Sequence, residues 1–215
     1  MTAPREVRRL AERSRPGRAD LDAVLDAGLV GTLSTVVEGA PWVVPMLYAR
    51  DGDRLLLHGS TGAGALRHVA AGAPAALSVV HLDGIVVAHT TFDSSANYRS
   101  AVVYGTLRPI TDPEEKRAAL TRVSDAVLPG RDAEVRPMTG REVAATQVMA
   151  MEVRDGDWVV KVRTGGPGEP DEPTDAWTGV VPLRTVADEP LPDPGGGRPV
   201  PPSVRERVRR GASAV

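Results

Sequence analysis

Short Val- and Leu-rich runs of strand length, each closed by turn residues, constrain the fold of this chain more than any other feature. Leu29 to Val37, Trp42 to Tyr48 and Arg54 to His58 follow one another, separated by Glu38-Gly39-Ala40 and by Asp51-Gly52-Asp53. Both separators have the chemistry of hairpin turns, so the three runs predict a meander of antiparallel strands. Two more strands are expected at Ala75 to His81 and Ile85 to Thr90, around a turn at Asp83-Gly84. Tyr98 to Leu107, Gln147 to Val153 and Trp158 to Val162 complete the set.

Helical signals are fewer and isolated. Asp20 is the expected N-cap of a short helix through Ala27, with Leu21, Val24 and Leu25 on one face and Gly28 at its end. A small helix is expected over residues 62–72. Asp112, Pro113 and Glu115 start a longer one that runs to Pro129-Gly130, and Thr139 with Glu142 makes a capping box. The chain therefore reads as mainly β with helices (α+β): six or more antiparallel strands in a closed or nearly closed barrel.

Composition limits the rest. The 215 residues suit one domain with some extra length. Hydrophobic residues are 41% and charged residues 25%, which excludes a wholly disordered or membrane-embedded chain. Aromatic residues are only 3%, so the core must be built from Val, Leu and Ala. Cysteine is absent, which removes disulfides, thiolate metal sites and a Cys nucleophile, and no metal site is expected. A net charge of -2 gives no global pull toward nucleic acid or an anionic membrane. No apolar run approaches the roughly 20 residues that span a bilayer, and the Arg-rich start lacks a signal-peptide core, so a cytoplasmic protein without nucleic-acid or membrane partners is expected. Residues 1–18 read as an arm or surface helix, 19–183 as the domain with a C-terminal arm at 165–183, and the Pro-rich 184–215 as a flexible tail.

Three segments carry candidate chemistry. His58-Gly59-Ser60-Thr61-Gly62-Ala63-Gly64 leaves a strand through small and hydroxyl residues and enters a helix, which suits an oxyanion, although the Lys of a P-loop is missing. In Asn97-Tyr98-Arg99-Ser100, Arg99 could meet a phosphate bidentately or be a plain surface arginine. Trp177, with Gly179 and Pro182, could anchor the C-terminal arm by burying its indole. His81 and His89 read as structural imidazoles.

In order along the chain, Gly31-Thr32-Leu33-Ser34-Thr35, Pro41-Trp42-Val43-Val44-Pro45, Leu57-His58-Gly59-Ser60, Asn97-Tyr98-Arg99-Ser100 and Trp177-Thr178-Gly179-Val180-Val181-Pro182-Leu183 resemble the pyridoxamine 5'-phosphate oxidase-like family of FMN-binding split-barrel proteins. The branch most similar is that of flavin-nucleotide-binding, nitroimidazole-resistance-like proteins. The resemblance implies a dimeric six-stranded split barrel with FMN at the subunit interface. It places Val43, Val44 and Pro45 along the isoalloxazine, and His58, Gly59, Ser60 and Thr61 near the ribityl phosphate. It places Asn97, Tyr98, Arg99 and Ser100 at phosphate and ring edge, and brings Trp177 from the partner subunit. Two departures stand out: Ala63-Gly64-Ala65 replaces the oxidase's Ser-Arg-Lys cluster, and Phe92-Asp93-Ser94-Ser95 lacks the histidine that relatives place before the Asn-Tyr-Arg-Ser motif. The expected function is a homodimeric FMN-dependent oxidoreductase acting on a small molecule, with His58 as proton donor or relay. The alternatives are haem, with His58 or His81 as axial ligand, the deazaflavin F420, or a non-catalytic flavin-binding regulator.

Overall fold

The computed structural model describes residues 10–60, 64–172, 174–195 and 197–213. The opening meander forms as the sequence predicts. β1 (Val30–Val37) pairs with β2 (Ala40–Asp51), and β2 with β3 (Arg54–Ser60). At the first turn Glu38 and Gly39 both take positive φ, 52° and 80°, as a two-residue hairpin loop demands; glycine adopts this freely, and among the described residues Glu38 is one of two non-glycine residues held there.

The remaining strands are β4 (Pro74–Val87), β5 (Ser95–Pro109), β6 (Thr146–Glu152), β7 (Trp158–Arg163) and β8 (Gly179–Pro182). Every pairing is antiparallel, and six strands close a ring in the order β1-β2-β3-β6-β5-β4, with β4 returning to β1 through Thr32 to Thr35. β5 makes closure possible by changing partners along its length: Tyr98 to Val103 pair with β7, and Leu107 to Pro109 with β6. β7 and β8 therefore flank the ring as extensions of β5 and β4.

Inside the ring the period-2 alternation of each strand delivers Leu33, Leu55, Leu57, Leu77, Val79, Ala101, Val103, Met149 and Met151 to one core. Helix α1 (Arg18–Ala27) plugs it with Leu21, Val24 and Leu25. On the outside of β3 and β6 the alternate residues Leu56, Val148 and Ala150 meet Ala119 and Val123 of α3 (Pro113–Val127). Two helices complete the wall: α2 (Gly64–Ala70) and α4 (Gly140–Ala145). Asp112 caps α3 through Glu114 N and Glu115 N, and the Thr139–Glu142 box caps α4, both as expected.

Three expectations change. The helix ending at Ala27 begins at Arg18 with Gly17 as N-cap, and Asp20 lies instead in the first turn, where its charge favours the helix N-terminus. Asp83-Gly84 is not a hairpin turn: β4 runs straight through it and pairs with β5 on both sides, the extra residue forming a bulge between Leu82 and Gly84. The flexible tail expected over residues 184–215 contains α5 (Pro202–Ser213). Its start is held by Glu134 of a 3-10 turn at Arg131–Glu134, whose carboxylate accepts from Ser203 N at 2.8 Å and from Ser203 Oγ. Pro202 opens that helix, a position where its missing N–H costs nothing.

Candidate functional site

The outward faces of β1, β2 and β4 are largely apolar and, among the described residues, uncovered. Along β2, Pro41, Val43, Pro45 and Leu47 point out while Trp42, Val44 and Met46 pack on the core. Val43 is 58% exposed, and Val36 of β1 and Val80 of β4 reach 57% and 67%. The β4 bulge lets Val80, Leu82 and Ile85 all face outward, because one inserted residue restores the phase that alternation would lose. Of the expected ring-contacting trio, Val43 and Pro45 thus lie on this face, whereas the Val44 side chain belongs to the core.

His58 lies two residues beyond the outward Leu56 on β3, shares its face, and lies opposite Val148 of β6. Its ring is half-buried, its Nδ1 is buried without a hydrogen-bond partner, and burial lowers its pKa, which favours the neutral imidazole. Gly59 serves packing: a Cβ there would stand 2.4 Å from Cδ1 of Leu66, so glycine is what lets α2 close on β3. Ser60 is exposed at the strand end. Thr61 lies outside the described residues.

The Asn97-Tyr98-Arg99-Ser100 stretch is internally engaged. Asn97, buried, donates from Nδ2 to Gly165 O at 2.9 Å and accepts from Arg163 at 2.7 Å. Arg99 donates from Nε and Nη2 to the two carboxylate oxygens of Asp83, at 2.9 and 2.8 Å. Arg99 and Ser100 alternate across β5, so Ser100 shares a face with Val80, its partner in register, and Arg99 lies behind it with His81. The Ser100 hydroxyl donates to Lys161 O at 3.4 Å. Trp177 is 67% exposed beside β8, which pairs with the far half of β4 and is tied to the bulge by Leu183 N donating to Asp83 O at 3.0 Å.

The other histidines are less free. His81 Nε2 meets the Val24 carbonyl at 3.0 Å and His68 Nε2 the Val36 carbonyl at 2.9 Å. His89 Nε2 lies 3.4 Å from the Asp93 carboxylate, with Nδ1 buried and unpartnered. Asp83 is the residue the sequence reading missed. Read as a turn, it is the counter-ion of Arg99 and the anchor of the C-terminal arm; the only hint was that Val79, His81, Ile85 and Val87 keep strand character on both sides of it.

The family model described as pyridoxamine 5'-phosphate oxidase matches residues 17–157, which hold β1 to β6, the six strands of the ring. The chain belongs to that family. Membership extends to a close structural likeness with the FAD and heme binding protein from Mycobacterium smegmatis, 42% identical, with a TM-score of 0.88 over 91% of this chain and 97% of that one. The flavocytochrome Anf3 from Azotobacter vinelandii is 29% identical, also at a TM-score of 0.88, over 95% and 96%. A 5-nitroimidazole antibiotic resistance candidate from Bacteroides thetaiotaomicron, 20% identical, shares the fold with a TM-score of 0.59 over 69% of this chain and 86% of that one. No curated protein matches. The ring of six strands is the family's split barrel, and the β8 arm and α5 lie beyond the matched segment.

Proposed function

We propose that this chain binds a flavin nucleotide against the outward face of β1, β2 and β4, and works as a flavin-dependent oxidoreductase on a small molecule. The observation that carries the reading is the uncovered apolar face bearing Val43, Pro45 and Val80, bordered by the His58 to Ser60 strand end. A flat tricyclic ring suits such a face, and a second copy of the chain laid on it would complete the enclosure as a homodimer. The flavin, when bound, supplies hydride and electron transfer. The protein residues would do the rest: Val43 and Pro45 shield the ring from water, Ser60, Ser100 and Tyr98 offer hydroxyls at its edge, and His58 presents a neutral imidazole able to hold or pass a proton. Trp177, exposed on the arm, would close the site of the partner. The M. smegmatis relative favours FAD over the FMN that the motif resemblance implies.

A second cofactor is favoured by a specific observation. Both relatives at a TM-score of 0.88 are described by haem or as a flavocytochrome. His58 fits a haem ligand better than His81: its neutral ring carries no bond to a main-chain carbonyl, whereas His81 Nε2 is committed to Val24 O. The absorption spectrum of the purified protein tests both readings. Flavin bands in the blue and near ultraviolet are expected, with a Soret band that is lost in His58→Ala. A colourless protein that takes up neither flavin nor haem on titration overturns the function; a Soret band that survives His58→Ala overturns only the ligand assignment.

A further inference from the structure

We infer that the anionic tail of the cofactor is received at the β7 edge, by Lys161 with Ser100, and not by Arg99. The inference rests on the flavin reading above and assigns a residue that the Asn-Tyr-Arg-Ser motif does not contain.

The first step is the removal of Arg99. Its guanidinium fork is matched to Asp83 through Nε and Nη2, which leaves the pair near neutrality and only the Nη1 end of the fork unspent. Strand alternation also turns Arg99 away from the face that holds Val80 and Ser100. A phosphate at Arg99 would have to displace a carboxylate whose own residue also accepts from Leu183 N in the C-terminal arm.

The second step is to ask which cations lie on the apolar face. The register of β4, β5 and β7 sets Val80, Ser100 and Lys161 in one row across three strands, and Leu82, Tyr98 and Arg163 in the next. Lys161 and Arg163 share a face of β7 with Val159, two residues apart each time. Arg163 spends one arm on Asn97. Lys161 is half-buried, and among the described residues no carboxylate lies within ion-pair distance of its ammonium. Acids are scarce on the strands of this surface: β1, β5 and β7 contain no Asp or Glu, the one acid of β4 is Asp83, paired with Arg99, and the one acid of β2 is Asp51 at its last position, paired with Arg54. An unpaired ammonium at the rim of an acid-poor, apolar surface is what a flat apolar molecule with an anionic tail requires. Two inter-strand steps separate Val80 from Lys161, about 10 Å at the usual strand spacing, which is the reach of a sugar-phosphate tail from a ring seated on β4. The chemical class is therefore a phosphate or pyrophosphate ester of a planar ring.

The test is a fluorescence titration of cofactor-free protein with riboflavin, FMN and FAD, so that the ring and its phosphates are read separately. Wild type is expected to prefer FMN or FAD over riboflavin. Lys161→Ala is expected to reduce that preference by about ten- to a hundredfold, the worth of a hydrogen bond to a charged group, while riboflavin affinity stays unchanged. Lys161→Arg should restore it. FMN and FAD losing equally locates the first phosphate at Lys161; FAD losing more locates the second. If the flavins bind and Lys161→Ala keeps the wild-type preference, the inference is wrong and the flavin reading stands. If no flavin binds the wild-type protein, the flavin reading falls and takes this inference with it.

Discussion

Tyr48 shows how one residue serves the core in a chain with so few rings. It is 1% exposed, and its hydroxyl donates to Leu25 O while His81 Nε2 meets Val24 O, so the last carbonyls of α1 are satisfied inside the barrel. Burial, helped by the Asp26 charge, pushes the phenol well above its ordinary pKa, so it remains a donor at any physiological pH. Leu25 O also accepts from Gly28 N, so removing the hydroxyl orphans nothing and takes away only one bond. Tyr48→Phe is expected to lower unfolding stability by about 1 kcal/mol, read as a shift of the urea midpoint with the slope unchanged. A loss several times larger would mean that the tyrosine positions α1 and not merely caps it. Neither Tyr48 nor Asp83 was legible as a partner in the sequence, because each acts on a residue that only the closed ring brings near. The resemblance names Val43, Val44 and Pro45 together, and only strand alternation in the folded β2 separates the outward Val43 and Pro45 from the core-facing Val44.

At the level of elements the same division holds. The caps of α3 and α4 could be read directly because donor and acceptor lie within three residues, and the turns at 38–39 and 52–53 because glycine writes them in place. Helix α5 could not, because its composition resembles a solvated tail and its N-terminal acceptor, Glu134, lies 69 residues away. That acceptor makes the helix sensitive to acid. Bonds from Ser203, then Arg131, hold the Glu134 carboxyl below its ordinary 4.5. A carboxylate depressed in the folded state stabilises it fully above the unfolded pKa and loses that contribution as pH falls through the folded one. Amide protection factors over residues 202–213, taken against the intrinsic exchange rate at each pH, should therefore be high at neutral pH and fall on acidification below the carboxylate range, ahead of those in β3 and β6. Glu134→Gln should speed exchange of this helix at neutral pH and flatten its pH dependence. Equal protection in wild type and variant at pH 7 would show that α5 is held instead where Gly211 closes on Ala187, so near that a Cβ on the glycine would meet the alanine backbone N at 2.7 Å.

At the level of the whole molecule, the scarcity of aromatic residues turns from a statement about the core into one about the surface. Leu, Val and Met fill the barrel, with Tyr48 the one fully buried ring among the described residues. The single Phe, Phe92, is 94% exposed at the β4–β5 turn and Trp177 is 67% exposed on the arm, while Tyr98 falls on the outward face of β5. Rings left at the surface, beside a sheet face where Val36, Val43 and Val80 are each more than half exposed, are costly in a chain that stays alone in water. The proposed assembly is two chains covering that face, with the flavin between them. A charge set in the middle of the face should then break the assembly without harming the fold, because Val80 makes little use of its own chain's core. Val80→Glu is expected to halve the mass measured by light scattering, to weaken flavin binding at least tenfold, and to leave thermal unfolding of the barrel within a few degrees of wild type. A variant that keeps both its mass and its flavin would place the subunit contact elsewhere, and the uncovered face would then need a different occupant.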